Sequence, residues 1–227
     1  MAPLFLTAAC STFPAAQMRL PGYLAAEAER QPFMEMSGWR SGTFAVGEYR
    51  GRYRRQLDRL SIAGLFKSTK GQADFEIEGP GISSTIEAEC DVRERALTLG
   101  DTEFKPGRMA LRCDFYAEGE PIPARFELQE SRKFGADILT RNARRGEIGL
   151  AGQIVHFRSV HEVEGGALPV EDPIGYVFEQ DGRAIGALEL NGRPVLIVPY
   201  GTDLDRRRAM TVAATALATF WDPAVVE

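Results

Sequence analysis

The last stretch of the chain, Asp203 to Trp221, reads DLDRRRAMTVAATALATFW and limits every fold the rest can adopt. Its first six residues are nearly all charged. From Ala209 to Trp221 there is no charge, and the only polar side chains are the hydroxyls of Thr211, Thr215 and Thr219. Ala and Leu favour helix, no proline intervenes before Pro223, and Thr202 or Asp203 can cap the start, with Asp205 near the positive end of the helix dipole. The uncharged part makes a rod of roughly 20 Å, too short to span a bilayer unaided. A helix with no polar face has to be enclosed on all sides. The preceding residues must supply the enclosure.

The chain has 227 residues, 44% hydrophobic and 26% charged, as in an ordinary globular protein. A net charge of −5 argues against a nucleic-acid partner, which would need a broadly basic surface. Two histidines and three cysteines leave little material for metal or imidazole chemistry, and no cofactor is expected. His156 and His161, five apart on one strand-like segment, would lie on opposite faces and could not act as a pair. There is no G-x-S-x-G elbow, no H-E-x-x-H, no P-loop and no G-x-G-x-x-G. The alternating Glu76, Glu78, Glu87 and Glu89 read as outward surface charges.

The N-terminus MAPLFLTAACS is apolar and ends in small residues before Cys10. It resembles the tail of a bacterial lipoprotein signal, in which such a cysteine becomes the acylated first residue. The Leu usual three positions before the cysteine is replaced by Thr7, and the basic n-region is missing. A start codon placed too far downstream explains both departures; an apolar N-terminus on a cytoplasmic protein is the alternative. Residues 1–10 are therefore read as a truncated signal, 11–40 as a tether with a short helix near Gly22 to Arg30, and 41–227 as one domain. With Cys10 lipidated, Cys90 and Cys113 remain as an even pair. They would form either a disulfide worth about 3 kcal/mol or two buried thiols.

From Gly42 the pattern is that of strands. Glu48 to Leu57 alternates, with Arg50, Arg52 and Arg54 on one side and Tyr49, Tyr53 and Leu57 on the other. Further strands are expected at Leu60 to Phe66, Ala73 to Ile77, Ser83 to Val92, Arg95 to Leu99, Met109 to Tyr116, Arg125 to Leu128, Ala136 to Thr140, Glu147 to Leu150 and Ile154 to Val163. Turns are expected at Ser68 to Gly71 and at Pro106-Gly107. The clearest passage is last. Strands Ile174 to Gln180, Arg183 to Leu190 and Pro194 to Tyr200 are separated by Asp181-Gly182 and Asn191-Gly192, dipeptides suited to type I′ hairpins. Pro194 and Pro199, at the ends of the last strand, suggest an edge or nearby bulges.

This predicts a mainly β fold: a closed antiparallel barrel of about twelve strands, wide enough to need filling, with the C-terminal helix in its lumen. A β-sandwich with a docked C-terminal helix is the alternative.

Gly175-Tyr176-Val177-Phe178-Glu179-Gln180-Asp181-Gly182-Arg183-Ala184-Ile185-Gly186, the strand Val195 to Val198 and the helix Asp203 to Phe220 resemble the end of LURP-one-like proteins. Those belong to the tubby C-terminal, LURP-one and scramblase-like superfamily. The resemblance covers about 50 residues. It implies a barrel around a central apolar helix and no catalytic residues. Some members bind phosphoinositides through surface Lys and Arg, for which Arg50, Arg52, Arg54 and Arg55 are the loose counterpart here. That strip is the candidate head-group contact. Arg206, Arg207 and Arg208 form a second basic cluster, read as a solvated rim. The expected function is a non-enzymatic lipoprotein of the bacterial cell envelope, facing the periplasm and binding an anionic lipid or an envelope protein. A carrier or sensor of hydrophobic ligands is the first alternative, and an enzyme with an unrecognised site the second.

Overall fold

The structure, a computed structural model, describes residues 16–62, 66–99, 102–131, 140 and 142–220. Cys10, Trp221 and most of the expected Ala136 to Thr140 strand lie outside them.

A short helix α1 (Gly22–Ala26) leads into β1 (Ala28–Pro32). There follow β2 (Ser41–Val46), β3 (Tyr49–Ile62), β4 (Phe66–Glu78), β5 (Ile86–Leu99), β6 (Thr102–Ala117), β7 (Glu120–Glu130), β8 (Arg144–Leu150), β9 (Gln153–Val160), β10 (Gly175–Gln180), β11 (Arg183–Glu189), β12 (Val195–Pro199) and the helix α2 (Leu204–Thr219). The strands form one antiparallel sheet in which β2 to β12 neighbour each other in chain order and β1 lies beyond β12. The ring is then nearly closed: just past β1, Met34 makes a two-way backbone bridge with Ala45 of β2, at 2.7 and 3.1 Å. Closure satisfies edges that an open sheet would leave unpaired.

The lumen is filled by α2. Every residue from Ala209 to Phe220 is buried, and the helix meets β3, β4, β8, β9 and β12, which stand on different sides of the ring. The three threonines are buried as well. Each hydroxyl donates to the carbonyl one turn back: Thr211 to Arg207 at 2.8 Å, Thr215 to Thr211 at 2.9 Å and Thr219 to Thr215 at 2.8 Å. The helix thus carries no unmet polar group into the core from these side chains. Inward residues of the wall complete that core, among them Phe75, Ile77, Leu111, Phe115, Phe126, Phe157 and Phe178. Phe126 and Phe157 stack at 5.1 Å between ring centres.

Three expectations change. Residues 16–40 are not a tether. Met18 and Leu24 cover the outside of β9–β12 in a second apolar cluster with Val160, Val177, Ala187 and Ile197, and β1 is a barrel strand. For the same reason β12 is no edge: β1 pairs with it from Ala28↔Pro199 to Pro32↔Val195, and its prolines fall at its ends. Finally, the segments expected as turns at Ser68 to Gly71 and Pro106-Gly107 are strand. β4 runs straight through the first, and β6 passes the second with irregular register against β5 at Arg93/Arg95 and Arg95/Leu97. An antiparallel partner on each side of β4 offsets the weak strand propensity of Ser68, Lys70 and Gly71.

The barrel has two unlike ends. At one, most connections are tight, the seven residues 79–85 between β4 and β5 being the longer exception. Glu118-Gly119, Ala151-Gly152 and Asp181-Gly182 each have both φ values positive, the type I′ pattern. At the other end lie the long connections 33–40, 131–143 and 161–174, the turn 190–194 and the far ends of β3–β6.

Candidate functional surface

The four arginines expected to form a strip separate. Arg50, Arg52 and Arg54 are exposed on the outer wall, and β4 places a carboxylate opposite each. Arg50 Nε donates to Glu78 at 2.6 Å. Arg52 grips Glu76 with two nitrogens at 2.7 Å, and Arg54 faces Asp74. The hydrogen bonds donated to Glu78 and Glu76, then the charges of those carboxylates, raise the two guanidinium pKa values. Arg55 belongs to the other side of β3. It lies 5.3 Å over the Tyr53 ring and donates to the Trp39 and Gly38 carbonyls at 2.8 and 3.3 Å, and burial lowers its pKa.

The pairing continues round the outside. Arg112 bonds Glu127 at 2.9 Å, Arg125 bonds Glu147, and Arg158 bonds Glu179 at 2.9 Å. The strip is therefore one stretch of a belt in which both charges alternate across strands. Exposed pairs of this kind add little stability, but they leave the belt near neutrality.

At the tight-turn end, Asp203 caps α2 by accepting from Arg206 N–H at 2.9 Å. Arg206, Arg207 and Arg208 pair with Asp203 at 3.6 Å, Glu29 at 3.3 Å and Asp205 at 2.9 Å. Arg208 also donates to the Gly81 carbonyl, and Tyr49 Oη donates to that of Pro80 at 3.0 Å. Burial raises the Tyr49 pKa, opposed in part by Arg207 and Arg208. The cluster locks the first helical turn into the mouth of the barrel.

The histidines do fall on opposite faces. His156 is exposed beside Glu147 at 3.5 Å. His161 is buried, its Nε2 2.9 Å from Ser159 Oγ and its Nδ1 3.0 Å from the Val170 carbonyl, while Ser159 Oγ accepts from Arg144 N–H at 2.9 Å. Both ring nitrogens are thereby engaged in holding the 161–170 connection against β9. Cys90 and Cys113 oppose each other on β5 and β6, point into the barrel and are joined as a disulfide.

Sequence reasoning missed Glu189. Its buried carboxylate takes the Met18 N–H at 2.8 Å and the Arg30 guanidinium, tying residues 18 and 30 to β11. Nothing local marks it, because its partners are more than 150 residues away. Trp39, which the sequence offers with Met34 and Met36 as an apolar anchor, is instead exposed on the 33–40 connection. Among the described residues no cluster of His, Cys, Asp and Glu could hold a metal, and no helix is long and apolar enough to cross a membrane. No protein-family model, curated protein or solved structure matches this chain.

Proposed function

We propose that this chain is a non-enzymatic binding module of the bacterial cell envelope, anchored by acylation of Cys10, with its long-connection end turned to the membrane. The observation that carries this reading is where the described chain joins the barrel. Gln17 and Met18 pair with the 161–174 connection, through Glu164 N–H to the Gln17 carbonyl at 2.8 Å and the Met18↔Val163 bridge. That connection is at the long-loop end. Seven residues lie between Cys10 and Met18, so the two are at most about 28 Å apart. An acyl group on Cys10 would hold this end close to the bilayer, and the tight-turn end away from it.

The filled lumen favours a rigid scaffold over a carrier, since an apolar ligand would have to displace α2 from the core. Kinship with the tubby, LURP-one and scramblase-like superfamily is part of the same proposal. The helix-centred barrel and the β10–β12–α2 order support it.

The test is metabolic labelling with an alkyne fatty acid of the protein expressed from its own locus. The wild type is expected to take the label and fractionate with membranes, and Cys10→Ser to lose the label. An unlabelled wild type, or a labelled Cys10→Ser, refutes the anchor.

A further inference from the structure

A continuous line of exposed apolar side chains crosses the tight-turn end. Tyr23 of α1 donates its hydroxyl to the Ala184 carbonyl at 2.6 Å, beside the Asp181-Gly182 turn. The Glu27 N–H donates to the Tyr23 carbonyl at 3.0 Å, and the Tyr200 N–H to the Glu27 carbonyl at 3.1 Å. Leu204 opens α2 against the 79–85 connection, where a Cβ added at Gly81 would meet its side chain at 3.2 Å. The line therefore runs from the β10–β11 turn to the β4–β5 connection. Tyr23 is 50% exposed, Tyr200 72% and Leu204 48%. Tyr200 is the most exposed large apolar side chain among the described residues. An apolar line of this kind at one end of a barrel marks a contact surface.

The unpaired charges along this line are mostly of one sign. Glu27, Glu48, Glu120 and Asp181 are exposed, and their carboxylates have no hydrogen bond or ion pair among the described residues. Glu27 lies between Tyr23 and Tyr200, and Asp181 near the Tyr23 end. Glu48 stands at the Leu204 end, because the backbone of its neighbour Tyr49 packs on Gly79. Among the described residues of this end, Arg183 is the one cation without a carboxylate partner. Arg206, Arg207 and Arg208 do not offset the acids: each is already paired and is the less exposed member of its pair. This sign decides the occupant. A second copy docking through the same face would set acid against acid. An anionic bilayer would be repelled, and in the anchored orientation it lies at the opposite end. A polypeptide with cationic side chains beside an apolar one meets both features, through carboxylate pairs and the faces of the tyrosine rings.

We propose that this end is the docking surface of the module and that its partner is a basic segment of another protein. Lys or Arg side chains of that segment meet the Glu27, Glu48 and Asp181 carboxylates, and an aliphatic or aromatic side chain packs on Tyr200 and Leu204. The proposal rests on the reading of the chain as a binding module, and names the face and the partner's chemistry; the contact itself does not depend on the anchor. In such a contact the central, water-excluded residues carry most of the affinity, and the charged rim sets association rate and salt dependence. Tyr200 lies in the middle of the line, with Tyr23 and Leu204 on either side, so its loss costs most.

The test uses the full-length chain with Cys10→Ser, which cannot be acylated. Its probes are short fluorescein-labelled peptides in which Lys alternates with Leu, Lys with Ser, or Glu with Leu, followed by fluorescence anisotropy. The Lys-Leu peptide is expected to bind more tightly than either companion, by roughly tenfold, and to weaken as salt is raised. Tyr200→Ser is expected to weaken it roughly fivefold or more at both low and high salt. Glu27→Gln with Glu48→Gln should weaken it at low salt and much less at high salt. Glu164→Gln with Glu171→Gln removes the same charge from exposed residues at the opposite end and should leave binding within about twofold. Circular dichroism identifies folded variants, and either Tyr200→Ser or the Glu27 and Glu48 pair alone is sufficient. Equal binding of the Glu-Leu and Lys-Leu peptides, unchanged binding by the folded variants of this end, or an equal loss in the Glu164 and Glu171 pair overturns the proposal. So does a sedimentation-velocity result in which Tyr200→Ser dissolves a dimer while peptide binding is unchanged, because the occupant would then be a second copy. Cosedimentation with phosphatidylglycerol vesicles that Tyr200→Ser abolishes would make the occupant a bilayer and overturns it too. Failure of the Lys-Leu peptide to bind, with retained acyl labelling of the native protein, removes the docking proposal alone and leaves the anchor standing.

Discussion

A polar scan of α2 tests its enclosure most directly. Ala213, Ala214, Thr215 and Ala216 are consecutive, so they sample directions 100° apart and between them view the whole circumference. Their exposures are 0, 0, 0 and 1%. Replacing each in turn by Asn puts an amide where no described side of the helix offers water. An unmet buried amide costs about 1–3 kcal/mol, and the added volume in a close-packed site a further 1–3. Each variant is expected to lose about 2–6 kcal/mol of unfolding free energy, read from urea midpoints followed by tryptophan fluorescence. Thr215→Val is the control. It removes a hydroxyl whose acceptor, the Thr211 carbonyl, also accepts the backbone N–H one turn on, so its cost is expected below about 1 kcal/mol. A helix lying against the outside of a sheet would tolerate the substitution on its wet flank. One Asn variant within about 0.5 kcal/mol of wild type, with an unchanged slope, would refute the enclosed helix.

Three further outcomes are expected. Cys90→Ala with Cys113→Ala should lower stability by about 3 kcal/mol, from the 23-residue separation that the bridge closes, and shift the urea midpoint accordingly; an unchanged midpoint under oxidising conditions would argue that no bridge constrains the unfolded chain. Gly146→Ala should cost about 3 kcal/mol in the same assay, because its Cβ would lie 2.0 Å from the Glu127 carbonyl and 2.6 Å from the Phe157 ring, and a paired strand cannot retreat; wild-type stability would contradict that packing. Burial raises the Asp74 carboxyl above its ordinary value of 3.8, against smaller opposite effects of the Cys90 N–H and Arg54. The folded state then holds this proton more tightly, so the site contributes most below the ordinary value and loses stability as pH rises toward the raised one. Asp74→Asn should therefore gain stability relative to wild type between pH 3 and pH 7, and a relative loss over that range would reverse the assigned sign.

The uncharged run from Ala209, which by itself demands a surrounding wall, was legible without coordinates. So were the meander of β10 to β12 and the alternation that puts Tyr49 and Tyr53 inside and Arg50, Arg52 and Arg54 outside. These are one-dimensional patterns, because the period of a strand and the polarity of a helix are local properties. The cap on α2 is local too: Asp203 and Arg206 are three residues apart.

What was not legible depends on partners distant in the chain. Ala28 to Pro32 contains two charges and a proline and reads as the end of a short helix in a tether, yet it is a strand that closes the barrel, because β12 offers it backbone groups more than 160 residues on. Ser68 to Gly71 has the composition of a turn, and two neighbouring ladders make it strand. The arginine strip looked cationic because the sequence shows Arg50 and Arg52 without Glu78 and Glu76 beside them. Only register brings those charges together. Local pattern fixed which faces had to be buried; closure of the ring decided which residues met, since a backbone hydrogen bond is indifferent to the side chains and the separation of the residues it joins.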